Sequence, residues 1–192
     1  MNRLRKIFCF IFFTCLYFNM LFSQSQRGYL EVKGYVKSGN SFIEAVDVDV
    51  FQKGEKVQGI LTKQSGHFNF ILDLNYDYTV QFSKNGLVTK KVDIITNVPE
   101  VETGIWYYKF SIDLFPMIPE LDISVLQKPV AKIMYDNTLG EFDFDEEYTA
   151  LIKKEIDNLL KNYNKLKEKL YNQLIADRSE ERRVGKECRS RW

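Results

Sequence analysis

Cysteine is scarce and poorly placed for a structural role. Of three in 192 residues, Cys9 and Cys15 lie within the first 25 and Cys188 within the last fifteen. Residues 26–177 have none, which excludes a disulfide scaffold or a thiolate metal site there. Histidine is a single residue, His67. Paired-His zinc sites therefore cannot be assembled within one chain, Cys-His catalysis has no cysteine in residues 26–177, and any Ser-His-Asp triad would have to use His67. His67 follows a turn and adjoins Phe68, so it reads as a turn-edge or packed residue rather than a ligand. No glycine-rich phosphate loop is present, since Gly28, Gly34, Gly39, Gly54 and Gly59 are too scattered to cradle an anion. Charge of one sign is also lacking: 27 Lys+Arg against 26 Asp+Glu leave +1. That balance gives no overall electrostatic reason to bind nucleic acid or an anionic membrane.

What is present falls into unlike segments. Residues 1–25 open with Arg3, Arg5 and Lys6, run apolar from Ile7 to Phe22 and end on the small residues Ser23 and Ser25. This is the pattern of a secretory signal peptide cleaved after Ser23 or Ser25, and the apolar run falls short of the ~20 residues of a membrane span. The expected location is the periplasm or cell envelope. At the other end, residues 178–192 read RSEERRVGKECRSRW, a basic string with little to bury. Composition predicts a disordered tail. The string also resembles the in-frame translation of a sequencing adapter, which implies that the natural sequence departs from this one near Asp177. Three basic residues sit in the leader, and six basic and three acidic in the tail. Residues 26–177 are thus net acidic.

From Tyr29 to Leu114 the chain alternates apolar and polar residues between turn signals. Leu30, Val32, Gly34 and Val36 share one strand face; Val46, Val48 and Val50 oppose Asp47 and Asp49. Phe68, Phe70 and Leu72 form a third set and Tyr78, Val80 and Phe82 a fourth. Ile60-Leu61-Thr62 makes a short strand, and Val88–Ile95 and Trp106–Leu114 complete seven antiparallel strands, with Asn85-Gly86 as the strongest hairpin turn. A seven-stranded antiparallel β-sandwich over residues 26–115 is the expected fold. Its aromatics Phe68, Phe70, Tyr78, Phe82 and Phe110 are expected in the core.

The series Val32-x-Gly34-x-Val36, Ile43-Glu44-Ala45 before Val48, Thr62-x-x-x-Gly66-x-Phe68-x-Phe70, Tyr78-x-Val80-x-Phe82 and Gly86 resembles a carboxypeptidase regulatory-like domain over about residues 29–96. The resemblance implies a transthyretin-like sandwich of the kind abundant in exported proteins of Bacteroidetes-type bacteria. It is to the accessory sandwich of such enzymes and implies no peptidase activity. Lys63 stands where the family often has Asp, which bears on turn hydrogen bonding.

Residues 116–144 read as an extended linker broken by Pro116, Pro119 and Pro129, with a further strand over Ala131–Tyr135. From Asp145, Ile152, Ile156, Leu159, Tyr163, Leu166 and Leu170 recur at spacings of four and three. This predicts an amphipathic, heptad-like helix over 145–177 that either docks on the sandwich or projects from it. The acidic run Glu141, Asp143, Asp145, Glu146 and Glu147 lacks the Gly and Glu of an EF-hand and reads as a solvated helix start, with calcium as the alternative. Asp47 and Asp49 face outward along a strand and carry no special signal.

No catalytic, cofactor-binding or metal residues are singled out. The expected function is a non-catalytic envelope module whose protein partner meets a sheet edge or the 145–177 helix, with no nucleic acid or small-molecule substrate. Two alternatives stand beside it. One is an accessory domain of a larger enzyme; the other is a carbohydrate- or calcium-binding module using Tyr35, Trp106 and Tyr107 as a platform.

Overall fold

A computed structural model describes residues 28–99 and 104–189, with side chains described to Arg183. The leader expected over 1–25 lies outside the described residues. Among the described residues, no helix is long and apolar enough to cross a membrane.

Ten strands form two sheets, followed by one long helix. They are β1 (Tyr29–Ser38), β2 (Ser41–Phe42), β3 (Asp47–Gln52), β4 (Glu55–Leu61), β5 (His67–Asp73), β6 (Asp77–Ser83), β7 (Lys90–Ile95), β8 (Ile105–Asp113), β9 (Ala131–Asp136) and β10 (Glu141–Phe144), then α1 (Glu146–Arg189). In the first sheet β1 is central, flanked by β5 and β8, with β2 extending its end. The second sheet runs β10-β9-β7-β6-β3-β4. The sandwich is thus as expected, and the described residues hold three strands beyond the seven. Two pairings are parallel rather than antiparallel, β1 with β8 and β7 with β9.

The alternation settles which residues go inside. Leu30, Val32 and Val36 of β1, Val46, Val48 and Val50 around β3, and Val80 and Phe82 of β6 are all fully buried. Each such side chain contributes ~1.5–3 kcal/mol by leaving water. Phe68 stacks among Phe82 and Phe110 at ring separations of 5.2 and 5.4 Å. Gly34 lies under this cluster because a Cβ there would collide with the Phe110 carbonyl oxygen and the Phe68 ring. Thr62, also buried, donates its hydroxyl to the Ile43 carbonyl and accepts the Val46 N–H, each at 3.0 Å. These bonds hold the 43–46 loop, where Ala45 adopts a positive φ of 53°.

The 116–144 segment contributes to the fold. Ile133 and Tyr135 of β9 and Phe142 of β10 belong to the main core. The expected strand at Ala131–Tyr135 widens the second sheet by pairing with β7. Asn85-Gly86 forms no two-residue hairpin: the Leu87 N–H donates to the Lys84 carbonyl, closing a four-residue turn inside a longer loop. Gly86 takes the positive φ of 80° that this turn requires.

Helix α1 starts where the first acidic turn was expected. Asp145 Oδ1 accepts the Tyr148 N–H at 2.9 Å as an N-cap. Ile152, Leu159 and Tyr163 are buried, the latter two with Val88, Phe115, Ile118 and Leu126 in a second core. Tyr163 lies 4.7 Å from Phe115, ring to ring, and the Tyr148 hydroxyl donates to the Pro129 carbonyl at 2.7 Å. The helix therefore docks through its first half. Instead of the disorder expected after Asp177, it continues without a break to Arg189. Glu and Arg are good helix formers, and no proline interrupts the segment.

Candidate functional site

The acidic run does not form one site. Glu141 and Asp143 lie on β10, Asp145 caps α1, and Glu146 and Glu147 occupy its first turn. Only the last three thus belong to the helix start expected for the whole run, because Phe142 and Phe144 impose strand alternation on the first part. Among the described residues no group of His, Cys, Asp and Glu is arranged to hold a metal ion.

The aromatic platform is also divided. Tyr35 and Tyr107 face outward from the first sheet, whereas Trp106 points inward and packs edge-on against Tyr135 and Phe142, each at 6.2 Å. Successive residues of a strand take opposite faces, so adjacent Trp106 and Tyr107 cannot share one platform. On the outer face Lys33 sits over Tyr107 at 5.7 Å and Lys109 over Tyr35 at 5.8 Å. His67 is half-buried there, edge-on to Tyr35 at 5.4 Å: a packed residue.

Two concave features among the described residues bear on ligand binding. The first is a groove of about 600 Å³ on the outer face of the second sheet. Phe51 pairs with Thr79, Thr79 with Asp93, and Asp93 with Lys132, a straight row across β3, β6, β7 and β9. Gln81 opposite Lys91 and Asp77 opposite Ile95 flank that row two residues away on either side. One wall is the β3–β4 hairpin, where Lys53 and Gly54 both have positive φ, 51° and 83°. A register shift beside Phe51 marks a bulge in this hairpin. On the opposite side Lys132 approaches Asp145 at 3.7 Å. The Thr79 hydroxyl donates to Asp93 at 2.8 Å. Lys53, Lys91, Asp77 and Gln81 make no side-chain hydrogen bond or ion pair among the described residues.

The second is an apolar recess of about 470 Å³ on α1, lined by Ile118, Leu170, Tyr171 and Leu174 and bordered by Lys167 and Glu168. Tyr171 and Leu174 are each 64% exposed and Ile175 51%. The stripe that docks at Ile152, Leu159 and Tyr163 therefore continues past the sandwich uncovered.

Lys90 marks the docked side. Its ammonium donates to the Asp113 carbonyl at 2.5 Å and lies 5.3 Å over Phe115. Burial lowers its pKa, and Asp113 partly offsets this. Burial raises the Tyr163 pKa, with Asp113 adding to the shift. Lys90 and Tyr163 thus both pack on Phe115 beside the helix.

Two packed sheets closed by a helix define the molecule as a mainly β sandwich protein. No family model matches the chain, and no curated protein matches it. Solved structures similar to parts of it are remote. A DUF3823 family protein from Parabacteroides merdae is 14% identical, covering 47% of each chain at a TM-score of 0.35. The Bacillus anthracis TIE protein is 20% identical over 47% of this chain and 17% of its own, at 0.34. Catechol 1,2-dioxygenase from Acinetobacter sp. ADP1 is 12% identical over 56% of this chain and 59% of its own, at 0.37. The chain covers less than two thirds of each of these.

Proposed function

We propose that this chain is a non-catalytic, exported sandwich module of the cell envelope, of the carboxypeptidase regulatory-like kind, that binds a protein partner through α1. The observation that carries this reading is the uncovered continuation of a docked apolar stripe at Leu170, Tyr171, Leu174 and Ile175. A contiguous exposed patch of this kind on a helix favours a second apolar surface. Lys161, Lys165, Lys167, Lys169 and Arg178 flank it against the two acids Glu168 and Asp177. The fitting partner is an amphipathic helix with acidic flanks, laid along α1 as an extension of the existing helix–sandwich interface. The basic leader followed by an apolar run supports export.

Site-specific photo-crosslinking tests this in the full chain expressed with its own leader. A crosslinker at Leu174 is expected to capture one discrete envelope protein through an acidic amphipathic segment, while one at exposed Leu139 captures none. Equal products from both positions, or a basic or non-helical contact, would overturn the reading.

A further inference from the structure

The outer groove of the second sheet is independent of the helix reading, and its chemistry points to a different class of ligand. We infer that this groove, centred on the row Phe51, Thr79, Asp93 and Lys132, binds a short neutral pyranose oligosaccharide.

Charge is the first argument. Lys53, Lys91 and Lys132 face Asp77 and Asp93 in the groove, with Asp145 against Lys132 at its edge. Cations and anions are matched, which selects against a polyanion or a polycation. The second argument is hydrogen-bond type. A sugar hydroxyl both donates and accepts, so it is best held where the two kinds of partner alternate at close range. Across the groove Lys53 and Lys91 donate, Asp77 and Asp93 accept, and Gln81 does both. Among the described residues, four of these five have no other side-chain partner. Asp93 is oriented by the Thr79 hydroxyl at 2.8 Å, leaving further acceptor capacity for a ligand.

The third argument is apolar surface. Phe51 and Ile95 lie on opposite sides of the polar centre. A pyranose ring presents a C–H face that stacks on such surfaces while its hydroxyl edge turns to polar neighbours. The row crosses four adjacent strands, about 14 Å at ordinary strand spacing. The groove volume also lies within the ordinary range for small-ligand sites. An extended peptide is a poor occupant. The groove floor is made of strands β3, β6 and β7, each paired on both sides, and offers no backbone groups for strand addition.

The hairpin wall places Lys53 in a left-handed backbone conformation that Asn or Gly would adopt at lower cost. Its side chain nevertheless lines the groove.

The test is isothermal titration of the full chain with cellotetraose, maltotetraose, chitotetraose and mannotetraose, with polygalacturonate as the acidic comparison. At least one neutral tetrasaccharide is expected to bind with a Kd of about 1 mM or tighter. Phe51→Ala and Lys91→Ala are each expected to weaken that binding at least about tenfold, or 1.4 kcal/mol. Tyr107→Ala, on the opposite sheet, is expected to leave it unchanged. Lys91→Ala removes a half-exposed side chain and keeps the test valid should Phe51→Ala disturb the fold. Absence of heat from all four neutral probes overturns the inference. So does binding of polygalacturonate alone, or binding that survives both groove substitutions.

Discussion

The two halves of α1 carry the same kind of apolar stripe and meet opposite fates. Over Ile152–Tyr163 the stripe is buried, Leu159 and Tyr163 in one cluster with Phe115, Ile118 and Leu126, and it is anchored by the Asp145 cap and the Tyr148–Pro129 hydrogen bond. Over Leu170–Ile175 it is exposed, and Ile118 borders it across an open recess. Periodicity alone therefore says that a helix has a face to bury, but not against what. Helices gain most of their stability from packing rather than from propensity, so the two halves should respond differently to matched substitutions.

The largest effect is expected at Leu159, which is 5% exposed. Leu159→Ala leaves a cavity in the second core and should destabilise by about 2–4 kcal/mol in urea unfolding. A loss below about 1 kcal/mol would mean that the docked half is not integral to the fold.

Alkaline unfolding sharpens the same contrast. Tyr148 and Tyr163 on the docked half have pKa values raised above 10.0, mainly by burial. Tyr78 and Tyr108 in the sandwich are raised for the same leading reason. In the unfolded chain these phenols lose protons near pH 10, while the folded state retains them, so stability should fall as pH rises above 10. Lys90 acts in the opposite sense: its folded pKa is lowered, so its contribution rises as pH approaches 10.5. Tyr163→Phe is expected to make the fall shallower, as followed by circular dichroism against pH.

A smaller effect is expected at the helix start. Asp145→Ala removes the N-cap and should cost about 1 kcal/mol, whereas Asp145→Asn keeps a capping oxygen and should cost less. If the two variants lose equal stability, the Lys132 pairing at 3.7 Å rather than the cap is the stabilising contact.

Much of the sandwich was legible in the sequence because period-two alternation over a half-buried sheet assigns each side chain to one face. Val46, Val48 and Val50 against Asp47 and Asp49 resolved in this way. The parallel pairings of β1 with β8 and β7 with β9 were not legible, since alternation fixes faces but not neighbours. Strand β10 was hidden because Phe142 and Phe144 interleave with acids that read as a charge run. The groove could not be found from sequence at all. Phe51, Thr79, Asp93 and Lys132 come from four strands, and only register puts them in one row.

The smallest effect, and the one that decides the comparison, is expected at Leu174. Its side chain is 64% exposed, so Leu174→Ala in the isolated chain should change stability by no more than about 0.5 kcal/mol. The same substitution is expected to weaken the helical partner's binding, because the side chain lines the recess with Ile118 and Leu170. Urea unfolding of the purified variant and crosslinking from Tyr171 in the same background separate the two effects. A stability loss approaching that of Leu159→Ala would show that the second half of α1 is already covered within the chain, for example by an intramolecular contact. Unchanged stability with lost crosslinking would show instead that one continuous stripe serves two surfaces, the first half the fold and the second half a partner.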